Sequence, residues 1–278
     1  FSRTVPLTGT SFVHRFDIFD LSLFSVEGTF GKVNNFLNPR RGYLVRPQIE
    51  KGGLFGGSGI EFIKGRIDIA AYLPVTSRSS ALLMITLGRL IPTGNSRNQV
   101  TAENEFRFDP IRFYAGGSTD VRGWALNSLG PQVALADSLI ANDDGSYSVK
   151  NAHYEAIGGE AKLSSRLELR FPFPGLGSSW SIGTFIDGAV LSATLVKDPA
   201  GRTVLTSQGL PSFVDKGSLP LSNMKFGTGA GIRYQTPVGL LRLDLAYKLN
   251  PSNEDLRSAK DVYLFQSGVS ESLGKERL

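Results

Sequence analysis

The chain has 278 residues, of which 41% are hydrophobic and 20% charged, and it contains no cysteine. The missing cysteine excludes a disulfide scaffold, a thiolate metal site and a thiol nucleophile. The net charge of +5 is dispersed, which favours solvated or lumen-facing charges over a nucleic-acid patch. We find no secretory signal at the start and no run of about 20 apolar residues, as a membrane helix requires. Neither observation argues against membrane-crossing strands, because apolar and polar residues alternate along such strands and their mean hydropathy is low.

The dominant hydrophobic period is two, which is the period of a β-strand. Between Glu160 and Phe173 the even positions are polar and the odd positions are almost all apolar. The same alternation recurs at Asn223–Gln235 and at Leu241–Leu249. In chain order, the sequence predicts eight strands, roughly at 21–34, 43–50, 60–73, 81–90, 160–173, 180–190, 223–235 and 240–249.

The connections between these strands alternate in length. Tight connections rich in Pro, Gly and Asn alternate with longer ones, and the longest lies at about 91–159. An antiparallel up-and-down sheet that crosses a membrane gives this arrangement, which is typical of outer-membrane barrels. The alternative is a soluble sandwich or ligand-binding barrel with its apolar face inside. No linker divides the chain, so residues 1–278 are expected to form one domain.

Aromatic residues lie near the ends of the predicted strands. Tyr43, Tyr72, Trp180, Tyr234 and Tyr247 have such positions. Barrels of the outer membrane carry aromatic girdles at both membrane interfaces. We therefore interpret these residues as girdle residues and not as platforms for stacking nucleic-acid bases.

One stretch of the long connection, FYAGGSTDVRGWALNSLGP at 113–131, neither alternates like a strand nor repeats like a helix. It holds a glycine pair, a lone arginine between valine and glycine, and a tryptophan that looks exposed. Glycines allow sharp turns and close approach of the backbone, which suits the tip of an inserted hairpin. The candidate functional residues are Gly116, Gly117, Val121, Arg122, Gly123 and Trp124.

This stretch closely resembles the loop-six signature of the BamA/TamA outer-membrane assembly-factor superfamily, whose hallmark is Arg-Gly followed by an aromatic residue. NPRRGYLVRPQIE, SRLELRFPFPG, SIGTFIDGAV and GTGAGIRYQTPVGLLRLDLAYKLN resemble strands of that family, in the right order. The resemblance implies an all-β, transmembrane, antiparallel up-and-down β-barrel. It also implies that this chain is part of a sixteen-stranded barrel, covering strands eight to fifteen, with loop six inside the lumen. An eight-stranded tube is filled by its own side chains, so the complete barrel is expected to be wider.

The resemblance also implies partners for Arg122, because the loop-six arginine of the family contacts acids on the strands that follow. The matching acids here are Glu168 and Asp187. A charge buried without a partner costs about 3–5 kcal/mol, and arginine can bind a carboxylate through two parallel hydrogen bonds. The alternative is that both acids are ordinary lumen charges matched by Arg166 and Arg170.

Several glycines of the predicted strands have an interpretation of their own. Gly183 and Gly188, beside Asp187, are expected to leave room for the loop. GTGAGI resembles a dinucleotide-binding fingerprint but lacks the third glycine and the following helix. The glycines of GTGAGI are better explained as small strand residues that face the lumen.

No catalytic residue, metal site or cofactor is expected. His14 and His153 have no metal-ligand spacing, and His153 is interpreted as a loop residue. RLELR is interpreted as one face of a strand and not as a catalytic carboxylate pair.

The resemblance implies an outer-membrane factor, bacterial or organellar, that assembles, inserts or translocates proteins without catalysis. Its partners would be membrane lipid, unfolded outer-membrane or secreted proteins, and periplasmic accessory proteins, with no nucleic acid. The alternatives are a two-partner secretion pore and a passive barrel that anchors a fused soluble domain. The ending SESLGKERL departs from the aromatic-terminated last strand of the family, which leaves closure of the barrel open. Tyr263–Val269 is a candidate substitute strand, and residues 1–20 are a candidate remnant of an earlier one.

Overall fold

The computed structural model describes residues 2–6, 12–16, 21–54, 60–97, 111–141, 147–196, 198–199, 213–252 and 254–256. Strands dominate this part of the chain, with short 3-10 turns at Gly94–Arg97, Leu221–Asn223 and Glu254–Leu256. In the described ranges, no helix is long and apolar enough to cross a membrane. The strands are β1 (Ser2–Pro6), β2 (Phe12–Phe16), β3 (Leu23–Glu27), β4 (Phe30–Val33), β5 (Gly42–Gly52), β6 (Phe62–Pro74), β7 (Ser80–Pro92), β8 (Gln132–Ala141), β9 (Tyr147–Ala156), β10 (Ala161–Pro172), β11 (Trp180–Leu191), β12 (Thr194–Leu195), β13 (Phe213–Val214), β14 (Lys225–Thr236) and β15 (Gly239–Lys248).

The main sheet has nine antiparallel strands in the order β15-β14-β11-β10-β7-β6-β5-β3, with β4 also paired to β5. Since β3 and β4 pair with consecutive parts of β5, they form one edge strand interrupted at 28–29. The eight predicted strands are therefore all confirmed, and the short connections lie at one end of the sheet, which we call the tight-turn end. Among the described residues, β3 and β15 do not pair with each other, so this part of the barrel is open.

The two faces of the sheet have the polarity of a membrane barrel. On β10, Glu168 is 2% exposed whereas its neighbour Leu167 is 42% exposed. On β15, Leu245 is 80% exposed. A soluble sandwich buries its apolar face and leaves charged residues in water. The structure contradicts that alternative, because here the charged side chains are inside and the leucines are outside.

This assignment of faces predicts unequal costs for adjacent residues of β5. Ile49 is 61% exposed, so Ile49→Arg places a charge on the lipid face and is expected to cost about 2–4 kcal/mol if it lies near the bilayer midplane. Gln48→Arg, the matched control, places the charge at the polar cavity of the inner face and is expected to cost less. Reversible urea unfolding in lipid vesicles measures both, and equal costs would contradict the assignment.

The aromatic residues form a band at the tight-turn end. Tyr72 pairs with Gly42, next to Tyr43, and Trp180 pairs with Tyr234. The rings of Trp180 and Tyr234 lie 4.6 Å apart between centroids. Tyr247, near the end of β15, lies at the opposite end of the sheet. Tyr43, Tyr234 and Tyr247 are exposed on the outer face, as interfacial girdle residues are. Tyr72 instead shares the inner face of β6 with Ala70, which is 2% exposed, so the girdle interpretation is wrong for Tyr72.

Three small hairpins lie outside the predicted strand set. β8 and β9 pair over Gln132–Ala141 and Tyr147–Ala156, inside the connection that the sequence left without strands. His153 therefore lies in a strand and not in a loop. β1 pairs with β2, where a strand remnant was expected, and β12 pairs with β13. The candidate strand Tyr263–Val269 lies outside the described residues.

The buried apolar residues gather at the inner face of the sheet, where the segment 111–131 covers it. The cluster combines sheet residues and segment residues, and it comprises Ile60, Phe62, Leu90, Ile111, Phe113, Ala115, Val121, Trp124, Leu129, Ala189 and Leu191. Because part of the long connection folds back inside, its apolar residues are shielded from water without facing lipid.

Candidate functional site

The segment 111–131, which we call the docked segment, is a compact turn whose backbone needs glycine. Gly116, Gly117 and Gly123 have φ values of +104°, +99° and +91°, which residues with a Cβ rarely adopt. The amide of Gly117 donates to the carbonyl of Trp124 at 3.0 Å, and the amide of Leu129 donates to that of Ala115 at 3.0 Å. The turn presents Arg122 at its tip.

Arg122 is bound to the two acids that the family resemblance singled out. Its Nε and Nη2 donate to Oδ2 and Oδ1 of Asp187 at 2.6 and 2.9 Å, and its backbone amide donates to the same carboxylate at 3.1 Å. Its Nη1 donates to Oε2 of Glu168 at 2.7 Å. The guanidinium carbon lies 3.4 Å from the ring centroid of Phe185. Arg122 is 3% exposed, so carboxylates and an aromatic face replace its water.

The cluster is wider than the predicted triplet. Arg122 Nη1 also lies 3.3 Å from Oδ2 of Asp244 on β15. Arg233 on β14 bridges the same acids, with Nη2 3.2 Å from Oε2 of Glu168 and Nη1 bonded to Asp244. The sequence places both residues on the polar face of their strands, but it does not indicate that they meet Arg122.

The alternative pairing of the two acids is present alongside the first. Arg170 donates to Glu168 at 2.8 Å, and Arg166 lies 3.6 Å from Asp187. The strand arginines therefore contribute charge to the cluster, while the shortest contacts of Asp187 are those with Arg122.

Arg122 stays charged throughout the physiological pH range. Burial acts to lower the pKa of its guanidinium, but the hydrogen bonds and negative charge of Asp187 and Glu168 outweigh burial and raise the pKa above its ordinary value. The docked segment thus carries a permanent cation into the lumen.

Trp124, which looks exposed in the sequence, is 3% exposed in the structure. Its Nε1 donates to the carbonyl of Phe226 at 3.2 Å, and the Nζ of Lys248 lies 4.6 Å from its ring centroid. The side chain is therefore covered by the inner face of β14 and β15. The sequence does not show which surface a loop tryptophan packs against, so the burial of Trp124 could not be predicted.

The chain has two tryptophans, and their fluorescence is expected to report opposite environments. Trp180, at the tight-turn end, should be quenched by brominated lipid, whereas Trp124 should be protected from both brominated lipid and aqueous acrylamide. Trp180→Phe and Trp124→Phe isolate the two signals in reconstituted protein. Strong acrylamide quenching of Trp124 would contradict its docking in the lumen.

The room for the docked segment comes from a different glycine than expected. A Cβ at Gly183 would lie 2.9 Å from the guanidinium of Arg233, and a Cβ at Gly188 would lie 2.8 Å from the ring of Phe226. The nearest atoms to both would-be Cβ atoms belong to Arg233 and Phe226 and not to the segment, so the expectation for this pair is wrong. Gly227 on β14 faces it, because a Cβ there would overlap the carbonyl oxygen of Arg122.

Further contacts that the sequence did not predict hold the rest of the turn. Lys162 Nζ donates to the carbonyl of Tyr114 at 2.7 Å and to Oδ2 of Asp120 at 2.8 Å. Arg166 Nη2 donates to the carbonyl of Asp120 at 2.9 Å. The same Asp120 carboxylate accepts the amide of Gly116 at 3.0 Å. The part of the segment that precedes Arg122 is thus fixed to β10.

The chemistry of this arrangement is electrostatic and steric. In the described part of the chain, no group of His, Asp or Glu side chains is placed to hold a metal ion. The segment contacts β10, β11, β14 and β15. A polar cavity of about 380 Å³ lies beside β5 and β6. Gln48, Glu50, Lys64 and Arg66 line that cavity.

Comparison with known proteins gives consistent matches. The Omp85 superfamily domain matches residues 13–272. The mouse sorting and assembly machinery component 50 homolog is 30% identical over 141 residues, which are 51% of this chain and 24% of that protein. The outer membrane protein assembly factor BamA of Neisseria meningitidis serogroup B is 24% identical over 240 residues, 82% of this chain and 27% of that protein. The chain thus spans about a quarter of the length of these relatives.

Among solved structures, BamA from Haemophilus ducreyi lacking POTRA domains 1–3 is similar, with a TM-score of 0.54 and 19% identity. The match covers 82% of this chain and 40% of that one, and at this identity it concerns the fold. The family match extends over nearly the whole chain and agrees with the lipid-facing leucines and the polar lumen. The chain belongs to the Omp85 superfamily and forms part of an antiparallel β-barrel of an outer membrane.

Proposed function

We propose that this chain is the barrel portion of a factor that assembles, inserts or translocates proteins at the outer membrane without catalysing a reaction. In this proposal the docked segment is the tip of loop six, and Arg122 latches it in the lumen. The observation that carries the proposal is the contact of one buried loop cation with Asp187, Glu168 and Asp244 on separate strands. Residues 1–278 act as one partial barrel domain with an insert at about 91–159.

The physical role of the latch is to specify one position of the loop. Buried ion clusters add little net stability compared with apolar packing, but breaking one partner is costly because the others remain buried. A loop held in this way has one favoured position, and displacing it partly has a high free-energy cost. The backbone can reach that position because residues 116, 117, 123 and 227 are glycines, namely Gly116, Gly117, Gly123 and Gly227.

The partners follow from the surfaces and from the relatives. The exposed leucines and phenylalanines of the sheet contact membrane lipid. The relatives are described as an outer-membrane assembly factor and a sorting and assembly component, so we propose unfolded outer-membrane or secreted proteins as substrates. Periplasmic accessory proteins would act with them. An incoming chain would pair with a free sheet edge, since unpaired strand edges bind extended segments through backbone hydrogen bonds.

The test uses the full-length protein in lipid vesicles with an unfolded β-barrel client. We expect faster appearance of folded, heat-modifiable client than with empty vesicles. Arg122→Ala should slow insertion several-fold, whereas Arg66→Ala should leave it unchanged, because Arg66 pairs with Asp68 outside the latch and its side chain is 47% exposed.

Three outcomes would separate the alternatives. Client insertion no faster than with empty vesicles would contradict an assembly role. Export of one dedicated partner, with ion conductance but no insertion of other clients, would favour the secretion pore. Neither insertion nor export would favour a passive anchor.

A further inference from the structure

The docked segment contacts β15 at several points along its inner face. Arg122 reaches Asp244 at 3.3 Å, and Arg242 Nη2 donates to the carbonyl of Ser118. A Cβ at Gly123 would lie 3.1 Å from the carbonyl carbon of Tyr247. These contacts are spread over Arg242 to Tyr247, so the segment supports more than half of the strand from inside.

In the described part of the chain, β15 is contacted by β14 and, on its inner face, by the docked segment. Within the described ranges it is a terminal strand of the nine-stranded sheet and pairs only with β14. Its outward side chains Leu241, Leu243 and Leu245 are exposed and face lipid, which packs against them without fixing their position. The inward side is therefore the only side on which the described part of the chain offers β15 specific polar partners beyond β14.

Arg233 connects these contacts to the rest of the cluster. It is 1% exposed and is among the largest fully buried side chains. Its guanidinium lies between Glu168 on β10 and Asp244 on β15, and Gly183 on β11 leaves the space for it. Arg122 touches the same two acids, so two arginines share two carboxylates across four neighbouring strands.

We propose that the docked segment holds β15 against β14, and that Asp244 and Arg233 are the positioning residues that couple the segment to this strand. The inference rests on the proposed latch role of Arg122 and extends it to the pairing of β15 with β14. When the segment leaves the lumen, Asp244 loses one of its two cations and β15 loses its inner support. The pairing of β15 with β14 then opens more often, which exposes strand groups able to pair with an extended chain.

The coupling has to be reciprocal. If docking stabilises β15, then an intact β15 stabilises docking by the same factor. A change confined to the segment must therefore loosen the strand, and a change confined to the strand must loosen the segment. A merely local structural role would not produce both effects.

Amide hydrogen exchange of the full-length protein in lipid bilayers tests this inference. Two variants alter only the segment, Arg122→Ala and Trp124→Ala, and one alters only the strand, Asp244→Asn. We expect each to accelerate exchange in both 111–131 and 239–248, by roughly 5- to 150-fold as is typical of coupled sites. Asp68→Asn is the matched control, because it removes a lumen acid that bonds Thr86 and Arg66 across a cavity from the segment, and it should leave both regions unchanged.

The exchange rates of the two regions distinguish failure of the coupling from failure of the latch. If Arg122→Ala and Trp124→Ala release the segment while 239–248 exchanges as in the wild type, the coupling is overturned and the latch stands. If neither variant releases the segment, the latch itself is overturned. If Asp244→Asn loosens β15 but not the segment, reciprocity fails and Asp244 has only a local role.

Discussion

Replacing Arg122 by alanine is expected to release the docked segment from the lumen while the sheet stays folded. The side chain of residue 122 would no longer donate its two hydrogen bonds to Asp187, which would keep the backbone amide of residue 122 at 3.1 Å and Arg166 at 3.6 Å. Removing one partner of a buried ion pair costs about 3–5 kcal/mol, which exceeds the free energy that holds many loops. Limited proteolysis in lipid vesicles should then show a first cut within 111–131 that the wild type resists.

Two control variants separate charge from geometry at this position. Arg122→Lys keeps the cation but cannot make two parallel hydrogen bonds to Asp187, so its protease resistance should lie between those of wild type and Arg122→Ala. Arg66→Ala removes a lumen arginine outside the cluster and should behave as the wild type. If Arg122→Ala resisted cleavage as well as Arg66→Ala does, the latch would be refuted.

The second large effect is expected from a single added methyl group at Gly227. Gly227→Ala places a Cβ on the carbonyl oxygen of Arg122, and both groups belong to backbone that cannot rotate away. The segment must move or β14 must bend, and either response breaks the contact of Trp124 Nε1 with Phe226. We expect fluorescence of Trp124 to become accessible to acrylamide in this variant.

Gly65 provides the matched control for this substitution. It is also a strand glycine, on β6, and no atom outside its immediate chain neighbours lies within 4 Å of its would-be Cβ. Gly65→Ala should therefore leave the fluorescence and the stability close to the wild type. Equal behaviour of the two variants would mean that the segment does not pass over Gly227.

The sequence predicted the main sheet because lipid and lumen impose a strict alternation on every spanning strand. Glu168 and Leu167 illustrate this, since adjacent residues face opposite environments. The hairpin β8–β9 was missed because QVALADSLIA does not alternate along its length, so the period-two signal is absent there. Alternation therefore identifies a strand where one of its faces contacts lipid and the other contacts the lumen.

The candidate site was predictable in part. The resemblance indicated Glu168 and Asp187 as partners of Arg122, but Asp244 and Arg233 depend on which strands face the loop tip. That relation is set by sheet order and register, which alternation does not determine. The expectation for Gly183 and Gly188 failed for the same reason, because proximity to Asp187 along the chain does not identify the strand that the loop crosses. Gly227, on the neighbouring strand, has that position.

A double-mutant cycle between Arg122 and Asp187 tests most directly whether this ion pair holds the docked segment in the lumen. The cycle is measured in lipid bilayers by hydrogen exchange of the Gly117 amide. That amide is bonded to Trp124 within the segment, so its exchange reports release. If the pair holds the segment, Arg122→Ala, Asp187→Ala and the double variant should accelerate exchange to a similar extent, so that the coupling energy is about as large as either single effect. Additive effects, or exchange unchanged from the wild type, would contradict the claim that this ion pair keeps the loop in the lumen.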